Sequence, residues 1–215
     1  VATELGANGL FMPLDVTQEP AWQKAVAETT AKFGGLHGLL NAAGVGVRND
    51  IETCTLAEFR RVNDVNSLGT FLGCKHAIPA LKTSGGGSIV NISSVLGLRG
   101  AAYAMAYCAS KGAVRTLTKN VALNCAFMKY NIRCNAIAPG YFETDMSAKM
   151  RSDPAAVERI VGRVPLRDSV CDCEIVRQRQ NREVSERDPI DAGWLVPPVA
   201  NPHARLEAVP CGGSG

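Results

Sequence analysis

Short apolar runs alternate along the chain with longer stretches in which apolar residues recur at helical spacing. Val1 to Gly9 reads as the tail of a helix stopped at Gly6 or Gly9, and Leu10 to Leu14 as a short strand ending at Asp15. Thr17 is a candidate N-cap for a helix whose one face carries Trp22, Val26, Thr29 and Phe33, up to the stop at Gly34 and Gly35. Leu36 to Leu40 is another apolar strand, running into Asn41-Ala42-Ala43-Gly44. Thr55 and Glu58 have capping-box spacing and open a helical pattern that continues through Asn66 and Phe71 to Leu81. Asparagine inside an apolar helix distorts it, so a kink is expected near Asn63 to Asn66. Ser88 to Ile92, bounded by Gly85 to Gly87, is a buried strand. A helix from about Met105 to Met128 follows, with Val114, Leu117, Val121 and Leu123 as apolar positions. Asn131 to Ala138 is the next strand, closed by Pro139 and Gly140.

Strands and helices alternating at these intervals predict an α/β fold, a doubly wound and mostly parallel sheet covered on both faces. Ligands of such sheets sit beyond the carboxyl ends of the strands. Asp15, Asn41 to Gly44, Ser94 and Pro139–Gly140 all fall at such ends and define one rim. Residues 1–166 form a single domain on this reading. From Arg167 to Asp188 charges replace the periodicity, as in a solvated helix or a disordered segment, and residues 167–215 are a divergent tail.

Composition narrows the field. A hydrophobic content of 46% and a charged content of 20% are those of an ordinary soluble domain, and a net charge of +3 argues against a nucleic-acid partner. The eight cysteines sit mostly inside apolar patterns without framework spacing, which places the chain in a reducing, cytoplasmic compartment. The three histidines are dispersed, so no metal site is expected. No stretch has the length of a membrane span.

The chemistry-bearing stretch runs from Ser93 to Lys111. Tyr107 and Lys111 are four apart and share a helix face, and an ammonium beside a phenol favours the phenolate. Such a tyrosine exchanges a proton with an alcohol or ketone, while Ser94, at the end of the preceding strand, holds the reacting oxygen. Each residue also has an ordinary reading. Ser94 is a strand-end turn residue, Tyr107 a half-buried helix residue, Lys111 a solvated lysine and Asn66 a helix-bending asparagine. Asn41 to Gly44 reads equally as a plain strand-to-loop turn or as small residues that let a ligand approach the backbone. Val45, Val47, Leu96, Leu98, Tyr141 and Met146 are candidates for an apolar pocket or for packing.

Taken together, Asn41-Ala-Ala-Gly44, Asn66, Asn91-Ile-Ser-Ser94, Tyr107 with Lys111, and Pro139-Gly-Tyr-Phe-Glu-Thr144 resemble the short-chain dehydrogenase/reductase family in order and spacing. Residues 1–166 carry the resemblance, and Ala106 to Met146 looks most like members that oxidise hydroxysteroids and other secondary alcohols. The resemblance implies a Rossmann-like fold, NAD or NADP as cofactor with NAD ahead of NADP, a small alcohol or ketone substrate, and a homodimer or homotetramer built on helices at about 64–83 and 105–128. It makes Tyr107 the general acid/base. Lys111 lowers its pKa and holds the nicotinamide ribose, Ser94 holds the substrate oxygen, and Asn66 anchors a water linking Lys111 to solvent. Asp15 and Val16 would meet the adenine, and Asn41, Ala42, Ala43 and Gly44 would line the cofactor cleft. Pro139, Gly140, Phe142 and Thr144 would hold the carboxamide.

Two departures stand out. No Gly-x-x-x-Gly-x-Gly segment precedes Asn41, so the fold is expected to be truncated at its N-terminus. The family's terminal stretch is matched only by Pro189-Ile-Asp-Ala-Gly193-Trp194, which arrives early, as after a frameshift or deletion. The alternative to an active dehydrogenase is therefore a catalytically silent fragment or association module that binds no cofactor.

Overall fold

The computed structural model describes residues 6–141, Ser147, Ser152, Asp153, Ala155 and Glu158, and the backbone of Glu174–Val176. Three apolar runs become β1 (Gly38–Asn41), β2 (Gly87–Ile92) and β3 (Ile132–Ala138). They pair side by side and parallel, Leu39 opposite Ile89 and Ile89 opposite Cys134. Parallel neighbours need a long crossover. The first is α2 (Leu56–Asn63) followed by α3 (Gly69–Thr83); the second is α4 (Met105–Phe127). With α1 (Glu19–Phe33) ahead of them, these elements make a Rossmann-like α/β fold, as the alternation predicts.

The sheet alternates its side chains. Ile89, Asn91, Ile132, Cys134 and Ala136 are buried, and Cys74, Ala77 and Leu81 of α3 with Ala122 and Cys125 of α4 close over them. Leu81, Ile89 and Ile132 are fully buried, each worth about 1.5–3 kcal/mol against exposure. A polar thread crosses this core. Asn41 Nδ2 donates to Asn91 Oδ1 at 2.8 Å, and Asn91 Nδ2 donates to Thr118 Oγ1 at 2.9 Å, tying β1, β2 and α4 together. Helices α1 and α3 are pinned by Glu19, whose carboxylate meets Lys75 and His76.

Between α2 and α3, residues Asp64–Leu68 form a π-helical turn, which is the distortion expected around Asn66. The capping box of Thr55 and Glu58 is present in both directions. Four expectations are corrected. Leu10 to Leu14 runs without a ladder partner among the described residues, because an apolar run becomes a strand only against a neighbouring edge; Phe11 is 78% exposed. Thr17 does not cap α1: its N–H and hydroxyl both donate to the Asp15 carboxylate, and the helix starts at Glu19–Pro20 behind Gln18. Gly6–Asn8 is a 3₁₀ turn. Inside the charged stretch, where a solvated helix or disorder is expected, Glu174–Val176 is β4, antiparallel to β3 with Glu174 opposite Ala138.

Candidate active site

The site grows from the carboxyl end of β2. Ser93 follows the strand, its N–H donating to Ile137 O at 2.7 Å, and Ser94 turns the chain into a 3₁₀ turn, Val95–Gly97. Ser94 caps that turn, its Oγ accepting from the N–H of Leu96 at 3.1 Å. That bond leaves its O–H and a second lone pair available. Ser94 is only 6% exposed. Tyr107 stands in the first turn of α4 and Lys111 one turn on, so both arrive on the Ser94 side of the sheet. The Lys111 ammonium lies 5.7 Å from the centre of the Tyr107 ring and donates to the carbonyl of Ile92 at 2.7 Å.

The electrostatics differ from the simple ammonium–phenol picture. Burial raises the Tyr107 pKa, and the neighbouring Ser94 hydroxyl draws it back down. Burial lowers Lys111 to about 8, because its charge has left water and lies against the Ile92 carbonyl. The expected lowering of the phenol thus falls to Ser94, with the Lys111 charge itself weakened by desolvation.

Asn66 is fully buried and grips the chain on both sides of one residue. Its Oδ1 accepts from Val45 N at 2.8 Å and its Nδ2 donates to Val45 O at 2.9 Å and to Ser110 Oγ at 2.9 Å. The Ser110 hydroxyl in turn donates to Tyr107 O at 2.8 Å. The π-turn aims Asn66 this way, and the Thr70 hydroxyl donates to the Asn66 carbonyl at 2.7 Å. Gly44 packs against the Asn66 and Lys111 side chains, and Gly46 against the Tyr107 ring. Asn66, Ser94, Tyr107 and Lys111 are thereby assembled at one end of the sheet.

The cofactor-side residues divide. A cavity of about 280 Å³ is lined by Leu14, Val16, Leu40, Asn41, Ala42, Ala43 and Val65, among others. It is apolar and walled partly by small residues, which fits a flat ring system such as adenine. The Asn41 side chain points inward to Asn91, so its contribution to the wall is beside, not through, its amide donor. Asp15 is exposed and holds Thr17, which keeps its carboxyl below the usual range. The Val16 carbonyl accepts from the Trp22 indole at 3.0 Å, fixing this loop against α1. Pro139 braces the rim through its carbonyl, which accepts from Val95 N at 3.1 Å, and Gly140 follows it, partly buried. Phe142, Thr144 and Met146 lie outside the described residues. Among the described residues that line the cavity there is no Lys or Arg.

Sequence reasoning took Val45 for a pocket or packing residue rather than the backbone partner of Asn66, and missed the roles of Ser93, Gly97 and Ser110. Their signal was faint: two serines after a strand, of which one must face inward, and a serine three residues beyond the tyrosine. Among the described residues no group of three or more His, Cys, Asp or Glu could hold a metal ion, and no helix is long and apolar enough to cross a membrane.

A family model described as enoyl-(acyl carrier protein) reductase matches residues 1–178, and the chain belongs to the short-chain dehydrogenase/reductase family. It is 41% identical over 157 residues to trans-4-hydroxycyclohexanecarboxylate dehydrogenase of Sinomonas cyclohexanicum, covering 73% of this chain and 57% of that protein. It is 44% identical over 147 residues to 3-alpha-(or 20-beta)-hydroxysteroid dehydrogenase of Mycobacterium tuberculosis, 68% of this chain and 56% of the relative. The NADP-dependent (R)-specific alcohol dehydrogenase of Lentilactobacillus kefiri is 39% identical over 137 residues, 63% of this chain and 54% of that one. The chain therefore spans little more than half the length of these relatives.

Proposed function

We propose that this chain carries the proton-transfer site of an NAD(P)-dependent oxidoreductase that interconverts a secondary alcohol and its ketone. The observation that supports it most is the convergence of Ser94, Tyr107 and Lys111 at the end of β2, with the Ser94 hydroxyl acting on the phenol. Ser94 offers its hydroxyl to the substrate oxygen, and Tyr107 Oη takes the proton from an alcohol or returns it to a ketone. Lys111 keeps a positive charge behind the phenol whenever it is protonated. When bound, a nicotinamide supplies or accepts the hydride. On this reading Lys111, Tyr107, Pro139 and Gly140 would hold the nicotinamide end, and Val16, Ala42, Ala43 and Val65, which line the cavity, the adenine end. Relatives named as trans-4-hydroxycyclohexanecarboxylate, hydroxysteroid and (R)-specific alcohol dehydrogenases support a secondary alcohol as the substrate class. NADP enters beside NAD because one of them is named NADP-dependent.

The five described cysteines are all unpaired, which agrees with a cytoplasmic protein. Exposed Leu68 and Phe71 on one helical segment and Leu123 and Phe127 on the other suit self-association.

The second reading, a silent fragment or association module, is favoured by the cavity, whose described lining residues carry no cationic side chain for a diphosphate. Titration with NADH and NADPH, followed by nicotinamide fluorescence, separates the two. Binding, with alcohol oxidation lost in Tyr107→Phe at unchanged cofactor affinity, supports the enzyme. Turnover retained in Tyr107→Phe overturns it. Binding that appears only when a glycine-rich βα unit is fused ahead of Val1 assigns the silent role to this chain and the activity to the longer one.

A further inference from the structure

We propose that Ser93, rather than only neighbouring Ser94, is a positioning residue of the site: its hydroxyl ties the strand end that carries Ser94 to the peptide of Lys111. This rests on the functional reading above for its catalytic meaning, but not for its physical test.

The lock has two jaws. Ser93 is 2% exposed, and its Oγ donates to Lys111 O at 2.9 Å. From the other side the Gly97 backbone presses on the same peptide: a Cβ on Gly97 would stand 2.7 Å from both the carbon and the oxygen of Lys111, and 3.0 Å from Ser93 Oγ. Only a residue without a side chain allows that approach. The segment between the jaws is rigid. Ser93 N is bonded to Ile137 O at 2.7 Å, Val95 N to Pro139 O at 3.1 Å, and Ser94 caps the turn through Leu96 N at 3.1 Å. Ser94 is therefore held to the end of β3 by its neighbours' backbone bonds and to α4 through Ser93 and Gly97. The separation between its hydroxyl and the Tyr107 phenol is set where the turn is clamped onto the helix, one helical turn beyond Tyr107.

A merely structural hydroxyl would change stability alone. A positioning hydroxyl must also change what Ser94 does to the phenol, which is to draw its pKa down against burial. The test reads that quantity without cofactor or turnover. The four tyrosines are labelled at 13Cζ, Tyr107 is assigned with Tyr107→Phe, and its titration is followed by NMR. Ser94→Ala defines the full effect. In Ser93→Ala the Tyr107 midpoint is expected to rise in the same direction by about half a pH unit or more, and Ser93→Thr to restore it. Gly97→Ala, which pries the jaw open from the opposite side, is expected to raise it too, and it decides the matter should Ser93→Ala fail to fold. A Tyr107 midpoint unchanged in the folded variants, whatever happens to their melting temperature, overturns the proposal. A shifted midpoint in a protein that turns over no alcohol with either cofactor leaves the positioning role standing and assigns this chain the silent role instead.

Discussion

The Lys111 ammonium sits 5.7 Å from the centre of the Tyr107 ring, yet its hydrogen bond goes to the carbonyl of Ile92 at 2.7 Å. The lysine is thus buried beside the phenol with one neutral hydrogen-bond partner among the described residues, and its pKa falls from 10.5 to about 8. A lysine whose folded pKa lies below its unfolded one destabilises the fold wherever both states are charged, that is below about pH 8. Between about 8 and 10.5 the folded protein sheds the proton first, and the penalty fades as pH rises. Lys111→Met is therefore expected to stabilise the protein at pH 7 by about 1–3 kcal/mol, with the gain shrinking toward pH 10. Urea unfolding at the two pH values checks this. A stability loss of equal size at both would mean that the bond to Ile92 outweighs desolvation.

Tyr107 presents the opposite sign. Its pKa is raised by burial, so the phenol is protonated near neutrality and alcohol oxidation, which needs an acceptor, should accelerate with pH while ketone reduction slows. Ser94 opposes the burial effect. Ser94→Ala should therefore move the rising limb of the oxidation profile to higher pH and lower kcat about 10²-fold, the usual size for one lost oxyanion donor. Steady-state rates in both directions across pH 6–10 test the pair; a profile that stays put in Ser94→Ala removes the serine from the mechanism.

Asn66 illustrates how a residue is legible in kind but not in partner. Its position inside an apolar helix announces a distortion, and a π-turn is there, but its partners Val45 and Ser110 come from segments 21 and 44 residues away. All three of its bonds are buried or half-buried. Asn66→Asp keeps the shape and the acceptor but removes both Nδ2 donors, leaving Val45 O and Ser110 Oγ facing a carboxylate. A loss of about 2–4 kcal/mol is expected in denaturant unfolding at neutral pH. The loss should shrink when acid protonates the aspartate, since its hydroxyl restores one donor. A loss below about 0.5 kcal/mol would mean that the Val45 loop closes without the clamp.

The same division between local and distant causes runs through the fold. β2 and β3 were readable because each is an apolar run between turn residues, and the Thr55–Glu58 box because its bonds span three residues. The Tyr107–Lys111 pair needed only helical periodicity. Leu10 to Leu14 carries the same apolar signal as the true strands and is not one, because a strand needs a second edge and periodicity does not report one. β4 erred the other way: Glu174–Val176 looks like part of a charged run, and only the free edge of β3 makes it a strand. Ser93 and Ser110 were invisible because a hydroxyl's meaning lies in what it reaches.

The other edge of the sheet yields the last prediction. Among the described residues β1 pairs only with β2, and on it Leu40 is 61% exposed and lines the apolar cavity beneath Leu14 and Val16. An unpaired edge with an exposed leucine is a template for strand addition, and natural sheets blunt such edges with lysine. Leu40→Lys leaves every backbone bond of β1 in place and removes little buried area. It should change unfolding free energy by no more than about 0.5 kcal/mol while suppressing association. Light scattering over a concentration series, set beside urea unfolding, reads both. Should Leu40→Lys instead lower stability by about 2 kcal/mol, the leucine is packed rather than exposed in solution, and this edge is already covered.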